Sequence, residues 1–267
     1  MTTLLSRRRM LRGLGFGLAA CPICLGVGSL AFGSEKGAGH AGGAPHWNYE
    51  GEGGPENWGK LSADFKVCEL GTQQTPIDLR DAVRAEVGGV APQFGEMPLT
   101  ILDNGHTIQV NCAPGSGTSI AGDRYELLQF HFHHPSEHLL SGKSFDLELH
   151  FVHKNAAGNL AVVGVFFEPG ATNPALAPIL SAMPREAGPA QTLGTVIRPA
   201  ELLPADRGYF RYHGSLTTPP CSEGVLWSVF KSPITAFEGQ VRDFATLFPN
   251  NARPVMPRLR RFLLESA

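Results

Sequence analysis

The sequence has little charge. Asp, Glu, Lys and Arg make up 17% of its 267 residues, too few for long exposed helices dressed in ion pairs. With 32 Gly and 21 Pro, the composition suits short strands joined by many turns. A basic surface is also lacking. The formal net charge is -2, and Arg7, Arg8, Arg9 and Arg12 all lie near the start of the chain, so the remainder is more acidic than that figure. A mildly acidic body offers no footprint for nucleic acid, which is excluded as a partner. Internal repeats are missing, as is any linker to a second domain. The chain is long enough to bury a sizeable core, and a β-rich single domain is the expectation.

Uninterrupted apolar runs are scarce as well. The longest candidate, from Leu11 to Phe32, is broken by glycines, which argues against a permanent membrane span. It follows Ser6-Arg7-Arg8-Arg9-Met10-Leu11 and precedes polar Ser34-Glu35-Lys36. That order reads as an export signal over residues 1–33, and paired arginines before a weakly hydrophobic run lean toward the twin-arginine route. Ala31-Phe32-Gly33 is a small-x-small cleavage site, which would release a periplasmic or secreted protein with no stable membrane span. In a competing reading Leu18-Ala19-Ala20-Cys21 is a lipoprotein box and Cys21 carries a lipid anchor. Cys21-Pro22-Ile23-Cys24 spells CxxC, but it lies inside a leader with no βαβ pattern around it, and no thiol oxidoreductase is implied. Residues 34–45 form a Gly-rich flexible lead-in. His40 there and His46 just beyond read as solvated linker histidines, and the chain is expected to become ordered around Trp47, Tyr49 and Trp58.

Cysteine is sparse: five in all, of which Cys68, Cys112 and Cys221 follow the leader. In an oxidising compartment a pair is normally bridged. Cys68 precedes the turn-rich Gly71-Thr72-Gln73-Gln74 and Cys221 follows Thr217-Thr218-Pro219-Pro220. Both read as loop residues, and Cys68–Cys221 is the expected disulfide. Cys112, ending the strand-like Thr107-Ile108-Gln109-Val110-Asn111-Cys112, is then the odd thiol, a small buried hydrophobe.

From Thr75-Pro76-Ile77-Asp78-Leu79 onward, short apolar runs alternate with turn signals. Leu99-Thr100-Ile101-Leu102 precedes Asp103-Asn104-Gly105, and the run Asn159 to Phe167 precedes Glu168-Pro169-Gly170. The second run is apolar on both faces and reads as a central strand. Helical signals are few: Asn173 to Met183, and Ser232 through Leu247, where Ser232 is a plausible N-cap with Pro233 at the first helical position. Pro184 to Pro204 reads as one long surface connection.

The most informative stretch is Gln129 to His153, QFHFHHPSEHLLSGKSFDLELHFVH. Strand side chains alternate, so Gln129, His131 and His133 share one face while Phe130 and Phe132 take the other. Further on, Glu148, His150 and Val152 share a face opposite Leu147, Leu149 and Phe151. If both runs lie in one sheet, His150 joins His131 and His133, and three imidazoles form a metal site with a fourth position left open.

QFHFH, PSEH, ELHFVH and GSLTTPPCSEGVLW, in this order between about Trp47 and Arg253, resemble an α-class carbonic anhydrase of bacterial, exported type. The resemblance covers nearly all of the chain after the leader, residues 46–267. It implies a mainly β (α+β) fold: a large central twisted, mostly antiparallel mixed sheet of about ten strands with a few short peripheral helices. It also implies one zinc ion on His131, His133 and His150, and reversible hydration of carbon dioxide to bicarbonate by attack of zinc hydroxide. Gln129 and Glu148 would support His131 and His150, and a backbone carbonyl of Asn251 would support His133. Thr217 and Glu137 would orient the nucleophile. Val152, Val162, Leu216, Thr218, Val225 and Trp227 would line the carbon dioxide pocket, His106 would shuttle protons, and Tyr49, Asn104 and Gln109 would order water. Two departures stand out. Gln109 is longer than the asparagine often found there, and only His134 and Pro135 separate His133 from Ser136, a connection several residues longer in animal members. Among the extra histidines, His138 reads as a structural hydrogen-bonding residue. The oligomeric expectation extends to a homodimer.

Two rival readings remain open at this point. His131-x-His133-x-x-x-Glu137 is also a cupin metal motif, which would make Glu137 a ligand to iron or manganese; the later Pro-x-Gly-x-x-His expected of cupins is absent. A non-catalytic binding module on the carbonic anhydrase fold is the other.

Overall fold

The computed structural model describes residues 45–267. The export signal, the lipoprotein box, the CxxC and all but the last residue of the lead-in fall outside the described residues. No described helix is long and apolar enough to cross a membrane.

Among the described residues, fifteen strands account for most of the regular structure. The first six are β1 (Asp78–Leu79), β2 (Val83–Ala85), β3 (Val90–Gln93), β4 (Met97–Asp103), β5 (Ile108–Asn111) and β6 (Gly117–Ile120). The central ones follow: β7 (Asp123–His133), β8 (Leu139–Leu140), β9 (Leu147–Asn155) and β10 (Leu160–Pro169). The last are β11 (Gln191–Ile197), β12 (Tyr209–Ser215), β13 (Glu223–Phe230), β14 (Ile234–Ala236) and β15 (Leu264–Ser266). Thirteen of them form one sheet whose main path runs β11-β4-β5-β7-β9-β10-β13-β12-β15-β2. Most pairs are antiparallel; β10–β13, β10–β14 and β15–β2 are parallel. The sheet is therefore mixed and open, with β11 and β2 at its edges. The α-helices are short: α1 (Trp58–Leu61), α2 (Val67–Leu70), α3 (Ala177–Ser181) and α4 (Glu238–Ala245).

Alternation sorts the sheet into two faces. Phe130, Phe132, Leu147, Leu149, Phe151, Val163, Val165 and Phe167 point to the back, into the larger core. Val162, Phe166, Tyr212, Trp227 and Val229 point to the front, with Val152 and Leu216 packed against them. β10 is central and buried on both faces, the environment in which an unbroken apolar run is stable. Trp58, Phe65, Cys68 and Cys221 make a separate cluster that takes in Trp47 and Tyr49. Cys68 and Cys221 are bonded, and Cys112 is a free, partly buried thiol packed on the larger core.

Four local expectations are corrected. Cys68 lies in α2, not in a loop. The helix expected from Ser232 begins at Glu238, because Ile234–Ala236 pairs with the end of β10, Phe167 opposite Ile234; strand pairing outweighs the Ser-Pro start signal. Likewise the helix expected over Asn173–Met183 spans Ala177–Ser181 alone. Asn173 folds its side chain onto local and distant backbone instead, accepting from the Ala175 N–H and donating to the Thr235 carbonyl. The connection expected over Pro184–Pro204 contains β11, paired with β4, and a short 3-10 helix at Pro199–Leu202. An edge strand exposed along most of its length has no buried face to impose alternation, so its sequence carries no strand signature.

Candidate metal centre

The centre is built by register. In the antiparallel pair β7–β9, His131 stands opposite His150 and His133 opposite Glu148. A register shift between Leu127 and Gln129 sets the phase of β7, leaving Leu128 exposed and turning Gln129, His131 and His133 to the front. The three imidazoles offer one nitrogen each, all within 4.8 Å of one another. Every remaining ring nitrogen is held. His131 Nδ1 pairs with Gln129 Oε1 at 2.8 Å, His133 Nδ1 with the Asn251 carbonyl at 2.8 Å, and His150 Nε2 with Glu148 Oε1 at 2.9 Å. These bonds fix each ring and tautomer, as ligand imidazoles require.

Electrostatics suit the same use. Burial, then the neighbouring imidazoles, keeps His131 well below the ordinary histidine value, and burial lowers His133. Both rings are thus neutral, the form that binds a cation. Burial works to raise Glu148, but its electrostatic interactions and hydrogen bonds with the His138 and His150 rings outweigh it and hold the carboxyl well below its usual range. His138 adds support from behind: its backbone N–H and Nδ1 bond the Glu148 carboxylate at 2.8 and 2.7 Å, and Nε2 meets the Tyr212 hydroxyl at 2.6 Å. On β10, Gly164 lies opposite His150; a Cβ there would come within 3.2 Å of Glu148 Oε1 and 3.3 Å of Val229.

Two buried polar atoms facing this space have no protein partner, His133 Nε2 and Glu137 Oε2. They are 3.5 Å apart, and Glu137 Oε2 is 3.8 Å from His150 Nδ1. Three converging imidazole nitrogens are a donor set that fits a divalent cation, with the Glu137 carboxylate beside it. Glu137 Oε1 is already taken by the Arg253 backbone N–H at 2.9 Å.

Several other sequence-selected residues lie on the strands beside the triad. Val152 of β9, Val162 of β10 and Trp227 of β13 stand in one row by direct pairing, and Val225 and Leu216 extend this front-face layer. Thr217 is buried and Thr218 half-buried; the Cys221 N–H returns to the Thr218 carbonyl at 2.9 Å, closing their turn. Gln109 of β5 lies opposite His131 and accepts from Asn104 Nδ2 at 3.2 Å. Burial keeps the Tyr49 phenol protonated, its pKa raised well above the ordinary value. His106 stacks on Trp47, and burial, with His46 adding to it, depresses its pKa to about 4.

Some participants have no sequence signal. Arg253 is buried and makes three bonds to the 68–75 region: Nη1 donates to Gln74 Oε1 and the Thr75 carbonyl, Nη2 to the Cys68 carbonyl. Asn251 does more than lend a carbonyl, since its side chain accepts from the His134 N–H and donates to the carbonyls of His106 and Phe132. These contacts span over a hundred positions, and no local spacing encodes them.

The cupin alternative does not survive the architecture, because the sheet is open, with two free edges, and is not a closed barrel. Residues 53–262 match the family model described as eukaryotic-type carbonic anhydrase. A carbonic anhydrase of a Nostoc species is 42% identical, covering 100% of both chains. One from Pectobacterium carotovorum is 44% identical over 82% of this chain and 90% of its own. The α-carbonic anhydrase of Thermovibrio ammonificans, solved with the inhibitor sulfanilamide, superposes with a TM-score of 0.81 at 44% identity, covering 83% of this chain and 100% of that one. Sheet, matched span and full-length relatives agree, and the chain belongs to the eukaryotic-type, or α, carbonic anhydrase family.

Proposed function

We propose that residues 46–267 form a catalytic domain that reversibly hydrates carbon dioxide to bicarbonate and a proton, with zinc held by His131, His133 and His150. The observation that carries this reading is the convergence of three imidazole nitrogens whose partner nitrogens are all engaged. Bound there, zinc supplies a Lewis acid that brings the pKa of water to about 7, a value established for carbonic anhydrases as a class.

The remaining work falls to the protein. Glu137, fixed through Oε1, keeps Oε2 free to accept from the Thr217 hydroxyl. Thr217 can then accept only from the nucleophile, which aims an oxygen lone pair at the substrate carbon. Carbon dioxide is apolar, and Val152, Val162, Leu216, Val225 and Trp227, flanked by Thr218, give it an apolar wall instead of a charged clamp. Tyr49, Asn104 and Gln109 order the water along which a proton leaves toward His106. His106 accepts it once turned off Trp47 into solvent, where its pKa approaches the ordinary value of 6.5.

The Cys68–Cys221 bond and the lack of a membrane-spanning helix among the described residues accord with export. We assign residues 1–33 to an export signal and the mature enzyme to the periplasm. A stopped-flow carbon dioxide hydration assay with zinc quantified in the same sample tests the reading. Activity proportional to zinc, with both lost in His131→Ala, is expected; hydration without zinc, or zinc without hydration, overturns it.

A further inference from the structure

Thr75 stands just before β1, outside the triad and its direct supports. It is fully buried, and each of its polar groups is engaged. Its N–H donates to Ser215 Oγ at 3.0 Å while its Oγ1 accepts from the Ser215 N–H at 2.9 Å, a reciprocal pair between residues 140 positions apart. Oγ1 also lies 3.3 Å from the Tyr212 hydroxyl, and the Thr75 carbonyl accepts from Arg253 Nη1 at 2.8 Å. Gly214 passes so close that a Cβ there would overlap Thr75 Oγ1. The backbone of β12 thus closes directly on the hydroxyl.

Three arms run from this residue toward the metal centre. The first passes through Tyr212, whose hydroxyl meets His138 Nε2 at 2.6 Å; His138 Nδ1 lies 2.7 Å from Glu148 Oε1, and that oxygen is 2.9 Å from His150 Nε2. A tyrosyl hydroxyl has one proton and two lone pairs, so it serves Thr75 and His138 together. The second arm passes through Ser215 into the turn that bears Thr217. Ser215 Oγ donates to the Leu216 carbonyl at 2.7 Å, and the Ser215 carbonyl accepts from Trp227 Nε1 at 2.9 Å. The third passes through Arg253, whose backbone N–H holds Glu137 Oε1 at 2.9 Å.

The first two arms meet at a single atom, Thr75 Oγ1. Ser215, Tyr212, His138 and Glu148 are all buried, and no water competes for their bonds. A buried polar chain that is fully satisfied holds its members in one arrangement, and loss of one member leaves its neighbours unpaired.

We propose that Thr75 is a positioning residue whose hydroxyl sets two things at once: the support that reaches His150 through Glu148, and the placement of Thr217 through Ser215. The inference rests on the zinc-dependent hydration argued above and adds a residue to it that touches neither metal ligand nor substrate.

Thr75→Val removes the hydroxyl at nearly constant shape, and Thr75→Ser keeps it. Two quantities are read: the rate of zinc release to excess chelator, which reports the His150 arm, and kcat/KM for carbon dioxide per bound zinc, which reports the Thr217 arm. Thr75→Val is expected to release zinc about tenfold faster and to lose about tenfold in kcat/KM, the lower end of the range for groups that support a metal ligand. Thr75→Ser should restore most of both, which a loss of packing would not allow. Combined with Glu148→Gln, Thr75→Val should add little to zinc release, because it acts on zinc through that carboxylate.

Parent-like values for Thr75→Val, a change in one quantity alone, equal losses in Thr75→Ser, or additivity with Glu148→Gln overturns the proposal. A parent that holds no zinc or hydrates no carbon dioxide overturns the functional reading and this inference with it, whereas an active parent beside an unaltered Thr75→Val overturns the inference alone. If Thr75→Val does not fold, Tyr212→Phe decides: zinc release that is faster, and no faster still in the Glu148→Gln background, supports the arm, and an unchanged rate overturns it.

Discussion

Trp47 and His106 lie face to face, their ring centroids 3.6 Å apart and their planes within 8°. In this pose the imidazole is shielded from water and, with His46 adding to the effect, its pKa is about 4. A group that acidic does not hold a proton near neutrality, so the stacked pose is one in which His106 is unloaded. Trp47→Ala removes the shield. The His106 pKa is expected to rise toward 6.5 by one unit or more, read from imidazole proton shifts in an NMR titration; an unchanged value would show that Trp47 does not set it.

Removing the imidazole itself separates proton export from metal binding. His106→Ala is expected to keep its zinc and to lose about a hundredfold in turnover in weak buffer, the lower end of the range for general acid–base groups. Added imidazole should restore part of the rate. Full turnover by the variant without added imidazole would take His106 out of the mechanism.

Glu148 holds two rings at once, His150 at 2.9 Å and His138 at 2.7 Å. Glu148→Gln keeps the size and removes the charge that both imidazoles favour. Loss of such a supporting carboxylate typically costs about 10–100-fold in metal affinity, and competition with a chelator measures it. Zinc affinity unchanged within error would mean that the ring orientation is set elsewhere.

His153, behind the site on β9, is fully buried. Its Nε2 meets Thr118 Oγ1 at 2.8 Å, Nδ1 has no partner, and burial brings its pKa to about 4. Because the folded value lies below the unfolded one of about 6.5, the unfolded chain takes the proton first. Stability is unaffected above pH 6.5 and is lost as pH falls from there toward 4, at up to about 1.4 kcal/mol per pH unit for this group. Chemical denaturation at a series of pH values should show a shallower slope in His153→Gln; identical slopes would assign the acid sensitivity to other groups.

The Cys68–Cys221 bond closes a loop of 153 residues. In the chain-entropy account such a closure stabilises by about 5 kcal/mol. A Cys68→Ala, Cys221→Ala double variant is expected to unfold about 10 °C or more below the parent, as calorimetry or circular dichroism would report. A Tm within a few degrees of the parent would place the stabilisation in the surrounding Trp58 and Phe65 cluster.

Legibility followed the range of the interactions. The period-two pattern of Gln129 to His133 and Glu148 to Val152 is local, and it gave the faces on which the three imidazoles lie. The unbroken apolar run of β10 marked a central strand for the same reason. What escaped was decided by partners far along the chain. Ile234–Ala236 became a strand because the end of β10 offered it a ladder, and β11 could form without alternation because an edge strand has one neighbour and no buried face. Arg253 was invisible for a related reason: Cys68, Gln74, Thr75 and Glu137 come together only in the folded sheet.

The Asn251 carbonyl that steadies His133, and the Arg253 N–H that anchors Glu137, come from the far end of a chain of 267 residues. The three imidazoles are synthesised by residue 150, yet a nascent chain must extend a further hundred residues before its metal pocket is closed. A truncation that stops short of Asn251 is therefore expected to leave His133 free to rotate. The order of assembly is written into the topology: ligands first, restraints last.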